Sequence, residues 1–125
     1  MRAQAALAFL EHTTRLLEIL PKEASKLGRR AYVEGVYGMS IGAVAGLLVD
    51  AMNVDVGICY KVREKGWVNL SIRGRRGLEI HLGAATKRLA RRYGGFGGGH
   101  KRTGGTSIPR KNCIAFIKDL EIELC

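Results

Sequence analysis

The chain has 125 residues, of which 46% are hydrophobic and 26% charged, and its formal net charge is +10. These values fit one globular domain with a modest core, and no apolar run approaches the roughly 18 residues of a membrane helix. The three cysteines are too few and too scattered for a disulfide framework or a zinc site. Reduced thiols, a cytoplasmic location and no membrane contact are therefore expected.

The first predicted element is a long helix over 3–20, where leucines recur at helical spacing. Pro21 is expected to end it, and residues 22–30 have the polar composition of a linker. Two further predicted elements are a strand over 31–37 and a helix over 41–52 with Ser40 as its N-cap. The remaining predicted elements are strands over 54–62 and 67–73 joined by a turn, a helix over 79–93, a strand over 106–108, and a helix over 110–122.

This order predicts an α/β fold, in which a mixed β-sheet of four to five strands is flanked by helices and preceded by a long N-terminal helix. We divide the chain into an N-terminal helix and linker over 1–30 and an α/β domain over 31–125. Only four side chains are amides, which favours a thermophilic source.

Positive charge is concentrated in the second half of the chain. Residues 61–111 contain 14 Lys or Arg against only Glu64 and Glu79. A charge distribution this polarised is typical of a site for a polyanion such as nucleic acid or a nucleotide. A surface that served only solubility would have acidic residues interspersed among the basic ones.

The segment over 93–108, called here the glycine segment, reads YGGFGGGHKRTGGTSI and holds seven of the 17 glycines. Dense glycine permits close approach of the backbone to another group. Successive N–H groups of Gly97, Gly98 and Gly99, with His100 and Lys101 as side-chain donors, predict an anion-binding nest. A flexible connection is the alternative.

The glycine segment differs from the common nucleotide-binding loops. A Walker loop ends in Gly-Lys-Ser/Thr, whereas His100, Lys101 and Arg102 stand at the corresponding place. A dinucleotide-binding loop follows a strand and opens a helix, whereas this segment follows a predicted helix and leads into a strand. Both classes are excluded.

The predicted strand over 67–73 carries a second candidate site. Alternation places Ser71 and Arg73 on the same face, about 7 Å apart. A guanidinium offers a planar fork of donors for phosphate, and a hydroxyl adds a short donor. Arg75, Arg76 and Arg102 extend the positive charge. The alternative is an amphipathic strand with one solvated face.

No catalytic or metal-binding cluster is expected in the chain. Asp50, Asp55 and Asp119 are isolated in sequence, whereas a two-metal phosphoesterase centre needs several Asp and His ligands close together. We therefore expect no hydrolytic activity from this chain alone.

The glycine segment and the strand before it resemble two motifs of one family. Gly97-Gly98-Gly99-His100-Lys101, followed by Gly104-Gly105, is similar to the signature of the DHH-associated domain (type 1), the substrate-binding domain of DHH phosphoesterases such as RecJ-like exonucleases, nanoRNases and cyclic-dinucleotide phosphodiesterases. Ser71-Ile72-Arg73 resembles the Ser-x-Arg strand of that domain. The two motifs occur in the correct order, and the resemblance covers residues 31–122.

The resemblance implies a role for each motif. Ser71 and Arg73 would hold a terminal phosphate of a short single-stranded nucleic acid or nucleotide, and Gly98, Gly99 and His100 would border the end nucleotide. Catalysis would belong to a DHH domain in the same protein, which holds manganese or magnesium. Thr103 and Phe96 depart from the family pattern and could change the pocket.

Two alternatives remain open. One is a stand-alone RNA- or tRNA-binding module, because a related domain ends alanyl-tRNA synthetases. The other is a structural domain that forms a homodimer through the helix over 3–20. The sequence does not separate DNA from RNA.

Overall fold

The computed structural model describes residues 3–124, so Met1, Arg2 and Cys125 lie outside the description. Four helices and six strands alternate along it. They are α1 Ala3–Glu23, β1 Ser25–Leu27, β2 Arg30–Glu34, α2 Ile41–Met52, β3 Val56–Val62, β4 Trp67–Gly74, α3 Leu82–Arg92, β5 Phe96–His100, β6 Thr103–Pro109 and α4 Cys113–Leu124. Short 3₁₀ turns at Glu64–Gly66 and Arg110–Asn112 complete the fold.

The six strands form one mixed sheet in the order β1-β2-β3-β4-β6-β5. Strands β2 and β3 are parallel, and the other neighbours are antiparallel. The predicted α/β class, the mixed sheet and the long N-terminal helix are confirmed, although the sheet has six strands and not four to five.

Each face of the sheet has its own core. One cluster joins β3, β4 and β6 to α3 and α4, with Phe116 and Leu120 among its fully buried side chains. The other joins α1 and α2 to β2 and β3 through Leu16, Leu20 and Leu48. Alternation divides each strand between these two faces.

The predicted N-cap of α2 is confirmed. The Ser40 side chain accepts a hydrogen bond from the Ala43 amide at 3.2 Å, and Asn53 ends the helix in the left-handed conformation. The predicted bounds of this helix are confirmed at both ends.

Several predicted boundaries are wrong, among them the strand over 31–37, which ends at Glu34, and the strand over 106–108, which extends over Thr103–Pro109. Helix α1 continues past Pro21 to Glu23, because the i to i−4 bonding resumes at Ala24, whose amide donates to Leu20 O at 2.8 Å. The supposed linker over 22–30 contains β1, which pairs with β2 across a turn at Gly28. Helix α3 begins only at Leu82, with the His81 ring as its N-cap.

The glycine segment is a β-hairpin and not a loop. Strand β5 and strand β6 pair over the full length of β5, around a turn at Lys101 and Arg102. Because successive N–H groups of a strand point to opposite edges, the predicted nest does not form here. An anion would meet this segment as an extended strand and not as a cradle of amides.

The model contains no helix, among the residues described, that is both long and apolar enough to cross a bilayer.

Candidate anion site on the open sheet face

The face of β4 opposite α3 and α4 carries the predicted phosphate ligands. Val68, Leu70 and Ile72 belong to the core on the α3 side, so the intervening residues face α2. A β-carbon placed on Gly42, near the start of α2, would lie 2.6 Å from Arg73 Nη2 and 3.3 Å from Ser71 Oγ. Ser71 and Arg73 therefore lie side by side against the first turn of α2.

Strand pairing carries this face across to the glycine segment. Thr103 pairs with both Arg73 and His100, so these three residues form one row across β4, β6 and β5. Residues directly opposite one another point to the same side of a sheet. Arg73 and His100 therefore share a face, with α-carbons two strand spacings apart, or about 10 Å.

The next row across the strands is Ser71, Gly105 and Gly98. A β-carbon at either glycine would have no atom within 4 Å, so this part of the face is open above a bare backbone. A cavity of about 480 Å³ lies over it, bordered by Ser71, Gly105 and Ile41 among others. A flat ring or a sugar could approach the main chain closely here.

The other glycines of the segment face packed structure. A β-carbon at Gly104 would lie 2.2 Å from Thr86 Oγ1, and one at Gly99 would lie 2.2 Å from Thr103 O. Gly83 of α3 abuts Gly99 and the His100 amide in the same way. These glycines allow α3 to press against β5 and β6, so the high glycine content serves packing as well as the open face.

The Arg73 guanidinium has no hydrogen-bond or ion-pair partner within residues 3–124. Its Nε is buried without a hydrogen-bond partner, and within residues 3–124 no carboxylate lies in salt-bridge range of it. A buried donor without a partner costs about 1–3 kcal/mol. An anion that reached Nε would remove this cost.

The other predicted cations differ in availability. Lys101 and Arg102 are exposed in the β5–β6 turn, at the Arg73 end of the face. Arg76 is exposed in the segment after β4. Arg75 donates from Nε to Asp55 at 2.7 Å and has a structural partner.

Asp55 holds the segment that follows β4 in place. It accepts hydrogen bonds from Arg29 and from Arg75, and these bonds, Arg29's first, lower the pKa of its carboxyl. Within residues 3–124, no three His, Cys, Asp or Glu side chains are grouped as metal ligands would be.

Two features of this face escaped sequence reasoning. Gly42 makes room for the Arg73 guanidinium, and its only signal was an isolated glycine inside a helical pattern. Trp67 and Phe96 form an aromatic pair on the same face, with ring centroids 6.3 Å apart. Tyr60, on β3, packs against the core and takes no part in this pair.

The sequence model of the DHHA1 domain matches residues 30–124. The chain belongs to the DHHA1 family, the DHH-associated domain of the DHH superfamily, as the two motifs predicted. No curated protein sequence matches the chain significantly.

Solved structures share the fold. A pGpG-specific phosphodiesterase, PggH from Vibrio cholerae, aligns with a TM-score of 0.64 at 15% identity, over 97% of this chain and 41% of its own. RecJ from Thermus thermophilus aligns at 0.63 and 19% identity, over 92% of this chain and 18% of its own. The C-Ala domain of Aquifex aeolicus alanyl-tRNA synthetase aligns at 0.61 and 16%, over 82% of this chain and 97% of its own.

The chain thus spans less than half of PggH and about a fifth of RecJ. At these identities the alignments describe a common fold, shared by DHH-family enzymes and by the C-Ala domain.

Proposed function

We propose that this domain grips the terminal phosphate and end nucleotide of a short single-stranded nucleic acid on behalf of a DHH-family catalytic domain in the same protein. The observation that carries the proposal is the Arg73 guanidinium, which has no partner among residues 3–124 and lies beside Ser71. Next to them, Gly98 and Gly105 leave the backbone of the sheet bare and form what is called here the glycine floor. The phosphate would accept hydrogen bonds from Arg73 and Ser71. The end nucleotide would lie over Gly98 and Gly105, with His100 at the edge.

Family and charge support this assignment. The basic half of the chain contains the open face, and cations that surround a phosphate site raise both the affinity and the rate of encounter. PggH is a phosphodiesterase specific for pGpG, and this similarity favours a short substrate with few nucleotides. Manganese or magnesium would be held by the catalytic domain.

The test compares Arg73→Ala with Arg91→Ala, a matched loss of one charge on α3, at the other face of the sheet. Fluorescence anisotropy with a short 5′-phosphorylated oligonucleotide should give a Kd about 10- to 100-fold weaker for Arg73→Ala, the loss expected for a charge-assisted hydrogen bond. The same strand with a 5′-hydroxyl should bind both variants alike. Equal binding of the phosphorylated strand by the two variants would refute the phosphate assignment.

The second candidate is a stand-alone tRNA-binding module. It is favoured by the C-Ala alignment, in which a domain of this size covers nearly the whole partner chain. Competition separates the two functions. A module of this kind would release a labelled oligonucleotide to unlabelled tRNA at low concentration and would not respond to the 5′-phosphate.

A further inference from the structure

An aromatic pair marks the end of the open face away from Arg73. Phe96 pairs with Ser107, which pairs with Asn69, and Trp67 lies two residues before Asn69 on β4. All four side chains therefore lie on the open face. The Trp67 and Phe96 rings are 6.3 Å apart at an interplanar angle of 44°, and Phe96 is 68% exposed. Phe96 therefore presents most of its ring to a ligand on this face.

Two cavities meet at this pair. The cavity of about 480 Å³ over the glycine floor reaches Asn69, Ser107 and Phe96. A second cavity, of about 550 Å³, shares Asn69 and Ser107 and continues past Trp67 to Arg63 and Lys65 in the β3–β4 turn. The two cavities adjoin at Asn69 and Ser107 and together run from Ser71 to the β3–β4 turn, where Arg63, Glu64 and Lys65 line the end with a net positive charge.

The spacing along β4 fits more than one nucleotide. At about 3.4 Å per residue, Asn69 lies about 14 Å and Trp67 about 20 Å from Arg73. A nucleotide whose phosphate is held at Arg73 leaves its own base over the glycine floor. The aromatic pair is therefore in reach of the following nucleotide, and Arg63 and Lys65 are in reach of a phosphate beyond it.

We infer that Trp67 and Phe96 form a second base-stacking subsite, so that the domain binds single-stranded dinucleotides and longer oligonucleotides in preference to mononucleotides. This inference rests on the proposed function and names the length of its substrate. Aromatic rings stack on any base, so the subsite is expected to be tolerant of sequence. Asn69 and Ser107 lie where a base edge would meet hydrogen-bonding groups.

Trp67 is the only tryptophan in the chain, and its fluorescence reports the subsite directly. We would titrate the protein with thymidine 5′-monophosphate, the 5′-phosphorylated dinucleotide and the 5′-phosphorylated tetranucleotide. The monophosphate should bind without quenching Trp67. The dinucleotide and tetranucleotide should quench it and bind more tightly.

Phe96→Ala is the informative variant, and Phe9→Ala, which removes a 53% exposed phenylalanine from α1, is its matched control. Phe96→Ala should weaken tetranucleotide binding by about tenfold or more, as expected for one stacked base, and leave the monophosphate Kd unchanged. Phe96→Leu keeps apolar bulk in place, so its Kd for the tetranucleotide should lie between those of Phe96→Ala and the unchanged protein.

The outcomes separate this inference from the proposed function. If Phe96→Ala binds the tetranucleotide as tightly as Phe9→Ala, or if saturation leaves Trp67 fluorescence unchanged, the subsite is wrong, while sensitivity to Arg73→Ala keeps the phosphate site. If the tetranucleotide binds and Arg73→Ala has no effect, the phosphate site is wrong, and quenching still supports the stacking subsite. Absence of any oligonucleotide binding overturns both.

Discussion

Gly42 lies directly against the guanidinium of Arg73: a β-carbon at position 42 would stand 2.6 Å from Nη2. The contact joins the first turn of α2 to β4 and fixes where the guanidinium can lie. Because the contacted atom is the end of a flexible side chain, an added methyl group would displace the guanidinium and leave the backbone in place.

We therefore expect Gly42→Ala to weaken binding of a 5′-phosphorylated oligonucleotide by about tenfold without loss of stability. Gly46→Ala is the control, since a β-carbon in that position, one turn later in α2, meets nothing within 4 Å. It should raise the free energy of unfolding by about 0.5–1 kcal/mol through helix propensity and leave the Kd unchanged. Anisotropy titration and urea unfolding measure the two effects, and equal affinities of the two variants would contradict a positioning role for Gly42.

Substitutions at two glycines of β5 should affect nucleic-acid binding and folding stability separately. Gly98 lies on the open face, so Gly98→Val should leave thermal stability near that of the unchanged protein while filling the floor and weakening oligonucleotide binding by about tenfold or more.

Gly99 has a φ of 152° and would place a β-carbon 2.2 Å from Thr103 O, so Gly99→Ala should cost about 2 kcal/mol or more in the free energy of unfolding. Chemical denaturation and binding assays on the two variants test this division. If Gly98→Val bound the oligonucleotide with unchanged Kd, no part of the ligand would lie against Gly98.

The sequence predicted the parts of the fold that local signals determine. Ser40 begins α2, and the alternation in β4 assigns Ser71 and Arg73 to one face. Strand β1 was missed because three residues are too short to show a period of two, and it exists only through pairing with β2. Strand β5 was missed because glycine has a low strand propensity, which pairing with β6 and packing of α3 override.

The sequence predicts that Ser71 and Arg73 share a face of β4 but does not predict what surrounds them. The proximity of Arg73 to His100 depends on β6 lying between β4 and β5, an order that no local pattern encodes. The contact of Gly42 with Arg73 and that of Trp67 with Phe96 each join residues about 30 positions apart. Such contacts follow from topology and are not visible in a single sequence.

The Asp55 carboxylate is expected to make stability depend on pH. Hydrogen bonds from Arg29 and Arg75 hold its pKa below the usual 3.8, so its contribution is complete above about pH 4 and is lost as pH falls through the lowered value. Asp55→Asn should lower the free energy of unfolding at neutral pH by about 1–2 kcal/mol, because the carboxylate is partly exposed.

The difference between Asp55→Asn and the unchanged protein should shrink below pH 4. Asp50→Asn, an exposed aspartate of α2, is the control and should show no such difference. Urea unfolding at a series of pH values from 7 to 2.5 measures both. If the two proteins differed in free energy of unfolding by the same amount at every pH, the ion pairs of Asp55 would not account for the lower stability of Asp55→Asn.

The β5–β6 turn is expected to attract the phosphates of a bound oligonucleotide. Lys101 is exposed at the Arg73 end of the open face, whereas Lys118 is exposed on α4, which packs on the other face. Each phosphate that a cation neutralises on a single strand adds about −0.7 to the slope of log K against log salt. Lys101→Gln should therefore make the slope less steep by about 0.7 for a 5′-phosphorylated tetranucleotide between 50 and 200 mM salt, and Lys118→Gln should leave it unchanged. If Lys118→Gln changed the slope and Lys101→Gln did not, the nucleic acid would bind the α3–α4 face instead.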